Sequence, residues 1–226
     1  TVYCIDLLGC GRSDKPNLTY TNYFYVQLIN DFIEHVIQEK TDIIATGLSS
    51  SFVLMACYSN PDAFSKIMMI NPESISNLKC TPSKRSKMIK FIMDLPVIGT
   101  AVYNMQMRHE NIEYLFTEKY FYNPFSVSKK MLDVYHEAAH LDECGGKYLL
   151  SSLDGFYLNA DISRALNSIN NSLFILEGRK TEARQKIAEG YVRLNSAVEY
   201  DFIENTEKYP QMENPQAVME YVELFF

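Results

Sequence analysis

The apolar positions fall into two textures. From Thr1 to Pro72, short continuous apolar runs alternate with longer amphipathic stretches, the pattern of strand–helix–strand units on a parallel sheet. Thr1–Asp6 (TVYCID) reads as a buried strand, followed by a glycine-rich, polar loop up to Tyr20. Over Thr21–Glu39, Phe24, Leu28, Phe32 and Val36 recur every four residues beside a second row of Tyr25, Ile29, Ile33 and Ile37. Two adjacent rows predict a helix with a wide apolar face, suited to lie on a sheet. Asp42–Thr46 predicts the next strand and Ser50–Ser59 the helix after it, stopped by Asn60-Pro61. Lys66–Asn71 predicts a further buried strand that Pro72 ends.

Between Glu73 and Ala160 the strand signals vanish, and methionine and tyrosine become frequent. Helical periodicity persists around Ser83–Asp94, Ile98–Arg108 and Ser128–Leu141, which predicts an inserted helical cap. Strand character returns at Ser172–Glu177 and Ala197–Ile203. The end predicts a helix with Asn214 as N-cap, Pro215 in the first turn, and Val218, Tyr221, Val222 and Phe225 on one face. The expected organisation is therefore a core over 1–72, a helical cap over 73–160 and the rest of the core over 161–226. The expected fold class is α/β, a mostly parallel sheet with flanking helices and an inserted cap.

A hydrophobic content of 47% supports a packed core, and a formal charge of −7 argues against a nucleic-acid binder, which needs a basic stripe to meet phosphates. The exception, Lys84, Arg85, Lys87 and Lys90, reads as a solvated helix face. The five cysteines are scattered and form no close CxxC pair, so no metal or redox motif is expected of them. Cys4 and Cys57 lie in apolar runs and read as small buried hydrophobes. A reducing, cytoplasmic setting is the expectation, with no signal peptide and no run long enough to span a bilayer. The chain opens directly inside a strand-like run, which points to a piece of a longer polypeptide and leaves a targeting segment upstream open.

The segment Gly47-Leu-Ser49-Ser-Ser51 sits where a predicted strand meets a predicted helix. Gly-x-Ser-x-small at such a junction is the arrangement of a nucleophile elbow, a sharp turn that strains and exposes the central serine. Small residues two before and two after it let the strand and helix pass closely. The Ser50 amide, at a helix N-terminus, would be an oxyanion donor. The plainer reading is that Ser49 only caps a helix.

Asp6-Leu-Leu-Gly9-Cys-Gly11-Arg-Ser-Asp14-Lys-Pro16 resembles the D-x-x-G-x-G-x-S-D-x-P segment of the α/β-hydrolase superfamily. The resemblance continues through the elbow into Asn60-Pro61-Asp62, Ile70-Asn71-Pro72 and the closing Tyr209-Pro210-Gln-Met-Glu213-Asn-Pro215. Gly9-x-Gly11 alone would suit a dinucleotide loop, but Asp14 stands where the third glycine belongs. The resemblance implies Ser49 as nucleophile, and an acid at Thr181, where Glu182 is the next residue, or after the earlier strand at Glu73. It implies a histidine base where this chain reads Glu207-Lys208. All four histidines (His35, His109, His136, His140) precede the last two strands. Loss of a general base costs roughly 10²–10⁴-fold. Lys208 would replace it only if burial brought its pKa down by roughly 3 from about 10.4, and Glu204 and Glu207 are expected to oppose that. The missing oxyanion-loop strand of the family would precede Thr1.

His136-Glu137-Ala-Ala-His140 matches HExxH, which on a helix offers two imidazoles for zinc and a glutamate base. No third ligand follows at the expected spacing, and a solvated cap helix is the plainer reading. The Met- and Tyr-rich cap would suit an apolar pocket. The expectation is a capped serine hydrolase acting on an ester or similar small apolar substrate, without a cofactor and with a degenerate triad. The alternatives are a non-catalytic relative that binds a ligand or partner and, third, a zinc peptidase.

Overall fold

The computed structural model describes residues 1–226. In chain order the elements are α1 (Asn22–Phe32), β1 (Thr41–Thr46), α2 (Ser49–Ser59), β2 (Phe64–Ile70), α3 (Ile75–Leu78), α4 (Lys84–Asp94) and α5 (Pro96–Gln106). There follow α6 (His109–Leu115), α7 (Lys129–Cys144), α8 (Gly146–Asp154), α9 (Ser163–Ser168), β3 (Leu173–Glu177), α10 (Glu182–Leu194), β4 (Val198–Phe202), α11 (Pro210–Glu213) and α12 (Pro215–Phe225). They form two compact units. The first holds Thr1–Thr21, Thr81–Glu118 and Pro124–Leu158; the second holds Asn22–Cys80, Lys119–Asn123 and Asn159–Phe226.

The second unit is built on a four-stranded sheet in the order β1-β2-β3-β4, with every neighbouring pair parallel. Parallel neighbours need a crossover, supplied by α2 between β1 and β2 and by α10 between β3 and β4. Strand burial follows position. In central β2, Ile67, Met68, Met69 and Ile70 are all buried, whereas edge strand β1 alternates. One face packs Ile70, Leu176 and Ile203 against Val218 of α12, with Phe174, Tyr221 and Val222 alongside. Asn214 caps α12 as expected, accepting a hydrogen bond from the Ala217 amide. In α1 and α2, Tyr25 stacks on Phe52 with centroids 4.9 Å apart.

The first unit is helical, and Ser83 and Ser128 cap α4 and α7. The helical rows in 73–160 were legible in the sequence, but α6, α8 and the crossover helix α10 were passed over. The opening segment departs from expectation: Thr1–Asp6 is exposed, pairs with no strand, and leaves Cys4 exposed while Cys57 is buried. A strand requires a partner for its alternate amides, and here Asp6 instead accepts the Arg12 amide at 2.9 Å and organises a loop. Gly11, at φ +51, is part of that loop; a Cβ there would meet the Asp6 carboxylate.

Candidate active site

The four strands end nearly level, with Thr46 opposite Ile70, Ile70 opposite Leu176 and Leu176 opposite Asp201. Ligands of open parallel sheets bind beyond these carboxyl ends. Ser49 follows β1, Glu73 follows β2, Glu177 ends β3 and Lys208 follows β4.

Ser49 stands at the strand-to-helix junction, but its backbone is not strained. The left-handed conformation falls on Gly47 (φ +55), Leu48 is already helical at φ −63, and Ser49 is the first residue of α2. Glycine takes that conformation without a steric penalty, so the chain reverses two residues before the serine and the expected strain at Ser49 does not arise. Ser51, two residues on, is buried, but a Cβ at Gly47 would meet open space, so close packing does not require a small residue there. The Ser50 amide donates to the Gly47 carbonyl at 3.2 Å, so the expected oxyanion donor is engaged within its own turn.

The base position is more informative. With strands about 4.8 Å apart, the ends of β1 and β4 are about 14 Å apart, too far for a residue above β4 to meet Ser49. The loop after β4 does not stay there. Asn71, just beyond β2, donates from Nδ2 to the carbonyls of Glu207 and Lys208, both at 2.8 Å, and accepts the Gly178 amide at 2.8 Å. The loop thereby crosses the end of β3 and places the Lys208 backbone beside β2, next to the serine-bearing strand. Gly178 permits the crossing, because a Cβ there would lie 2.2 Å from the Glu207 carbonyl oxygen.

The Lys208 ammonium lies over the Tyr120 ring, 4.5 Å from its centroid. Burial pulls its pKa down, Glu73 pushes it up and Arg184 pulls it down. The opposing carboxylate is thus Glu73, not Glu204 or Glu207; Glu207 instead pairs with Arg179 at 2.7 Å. Glu73 accepts from Asn77 at 3.0 Å. Glu182 is a solvated residue in the first turn of α10, paired with Lys186, and Thr181 caps that helix. No hydrogen bond joins Ser49 to Lys208, Glu73 or Glu182.

One candidate residue does not stand out in the sequence. Glu177 is fully buried at the end of β3, with Oε2 3.3 Å from Arg184 and Oε1 without a hydrogen-bond partner. Burial drives its pKa up to about 7, against the Arg184 guanidinium, which favours the charged form. The signal was a carboxylate closing an otherwise apolar strand, Leu-Phe-Ile-Leu-Glu.

The HExxH residues lie on α7 in the first unit. The His136 and His140 rings are 4.2 Å apart, but His140 Nδ1–H donates to the His136 carbonyl oxygen at 2.8 Å, and His109 pairs with Asp133. No group of three His, Cys, Asp or Glu side chains is placed to hold a metal ion. The zinc reading therefore lacks a third ligand.

The alpha/beta hydrolase fold family model matches residues 1–91. No curated protein matches the chain in sequence. Among solved structures, the chain is similar to the epoxide hydrolase CorEH, with TM-score 0.77 and 17% identity over 98% of this chain and 80% of that one. It is similar to the serine hydrolase CCSP0084 of the polyaromatic hydrocarbon-degrading bacterium Cycloclasticus zankles, with TM-score 0.70 and 17% identity over 98% and 77%. The meta-cleavage product hydrolase CumD of Pseudomonas fluorescens IP01 gives TM-score 0.70 and 14% identity over the same shares. These similarities and the parallel sheet agree: the chain has the α/β-hydrolase fold.

Proposed function

We propose that this protein is a serine hydrolase of low catalytic power that cleaves an ester or similar bond in a small apolar substrate. Ser49 is the nucleophile, Lys208 the base and Glu73 the carboxylate in its field. The observation that supports this most is the Asn71 tether, which carries the post-β4 loop back toward the serine strand. A buried lysine with a depressed pKa is a recognised activator of a serine hydroxyl. Glu73 works against that depression and so holds back the free base. The Ser50 amide would serve the oxyanion only after leaving the Gly47 carbonyl, a further cost to rate.

The second reading is a non-catalytic member that retains the fold to bind a small apolar ligand or a partner. The relaxed Ser49 backbone and the engaged Ser50 amide favour it. A fluorophosphonate probe separates the two: labelling that Ser49→Ala abolishes supports catalysis, and a folded protein that never labels supports the second reading.

A further inference from the structure

Helix α4 is inverted with respect to a soluble amphipathic helix. Its inward stripe is Ser86, Lys90 and Met93, of which two are polar. Lys90, only 6% exposed, donates to Asp94 at 2.8 Å and to Ser151 at 3.3 Å, and Ser151 in turn donates to Asp94 at 2.8 Å. That network satisfies the polar groups of the inner stripe, and Met93 is its one apolar member. At 100° per residue, the opposite face carries Lys84, Arg85, Met88, Phe91 and Ile92. Met88 is 60% and Phe91 67% exposed, so the large apolar groups point to solvent.

The next helix repeats the arrangement. In α5, Gly99 and Tyr103 face inward, while Val97 (80% exposed), Ile98 and Met105 face out. Two consecutive helices thus each leave large apolar side chains exposed, the kind of exposure that calls for an occupant where it gathers on one surface.

Charge selects the occupant. The chain carries −7 overall, yet no carboxylate occurs between Glu73 and Asp94, and Lys84, Arg85 and Lys87 are exposed in the first turns of α4. A symmetric dimer through this face would present the same cations from both copies with no carboxylate of the face to meet them. An anionic lipid surface satisfies both features: its headgroups meet the cations and its acyl boundary takes Met88, Phe91, Ile92 and Val97. No helix is long and apolar enough to cross a membrane, so the contact is interfacial. We infer that the α4–α5 face docks this protein on an anionic membrane surface, independently of what the catalytic site does.

The chain contains no tryptophan, so Phe91→Trp introduces a single reporter. Titrated with vesicles of phosphatidylcholine mixed with phosphatidylserine, this variant is expected to show a blue shift that salt reverses, with much less change on pure phosphatidylcholine. Removing the charges in Lys84→Gln/Arg85→Gln/Lys87→Gln should weaken vesicle binding by about 100-fold, at about 1 kcal/mol per basic residue. Circular dichroism checks that the fold survives, and Met88→Ser/Ile92→Ser offers a milder second variant. Equal response to neutral and anionic vesicles, no response to either, or a concentration-dependent dimer that these variants dissociate would overturn the inference.

Discussion

Asn71 Nδ2 lies 2.8 Å from the carbonyl oxygen of Lys208, and through this contact a residue at the end of β2 positions the basic residue that follows β4. The same side chain holds Glu207 and Gly178, so one residue ties three chain segments at the carboxyl end of the sheet. Asn71 itself sits at φ +46, a left-handed conformation that asparagine tolerates better than most residues.

Asn71→Ala removes three hydrogen bonds and puts an unsuited residue at positive φ. An expected loss of about 3 kcal/mol follows from unsatisfied buried groups and backbone strain. Asn71→Gly restores the backbone freedom but not the bonds, and should recover about 1 kcal/mol of that. Urea unfolding of both variants checks the split.

Gly178→Ala forces a Cβ against the Glu207 carbonyl, a backbone atom with little room to yield. The expected result is a destabilisation of about 1–3 kcal/mol and a displaced 207–208 loop. Hydrolytic activity, if it depends on Lys208, should fall further than stability alone accounts for, measured at a temperature where the variant is fully folded.

Glu177 makes a prediction about pH. Its folded pKa is near 7, above the ordinary value of 4.5, so between these pH values the folded state holds a proton that the unfolded state has released. Stability therefore declines as pH rises through this window and levels off above about 7. Glu177→Gln stays neutral throughout and should flatten the decline, by up to about 3 kcal/mol between pH 4.5 and 8. Denaturation midpoints of both proteins across that range provide the check. A wild-type curve that rises with pH while the variant stays flat would contradict the assignment.

Much of the fold was legible because local patterns and tertiary structure agree. Buried runs such as Ile67–Ile70 form β2, and Asn214-Pro215 starts α12 as its capping chemistry dictates. Thr1–Asp6 misled because an apolar run specifies burial only if a partner strand is available, and pairing is not a local property. The candidate residues were legible by their places along the chain but not by their conformation. Gly47, Ser49 and Lys208 could be placed beyond strand ends from the sequence, whereas the fall of the left-handed conformation on Gly47 and not on Ser49 depends on backbone dihedrals. The role of Asn71 was hidden because its partners lie 107 to 137 residues away in sequence. The inversion of α4 was hidden as well: Lys90 belongs to the basic cluster in sequence, yet it is buried by a pairing with Asp94 and Ser151.

Lys208 gives the hydrolase reading its own pH signature. A lysine acts as base only when neutral, so hydrolysis of a small chromogenic ester should rise with pH through the depressed lysine pKa. Glu73→Gln removes the carboxylate that raises the Lys208 pKa and should move this rise to lower pH. Lys208→Met should reduce the rate by about 10²-fold or more. A rise centred on the same pH after Glu73→Gln would separate the activity from Lys208.

The most direct measurement is the rate of Ser49 phosphonylation by a fluorophosphonate probe in the wild type, Ser49→Ala and Lys208→Met proteins. The account predicts slow labelling in the wild type, none in Ser49→Ala and a further large drop in Lys208→Met. Labelling that survives in Ser49→Ala, or that proceeds equally fast without Lys208, would contradict it.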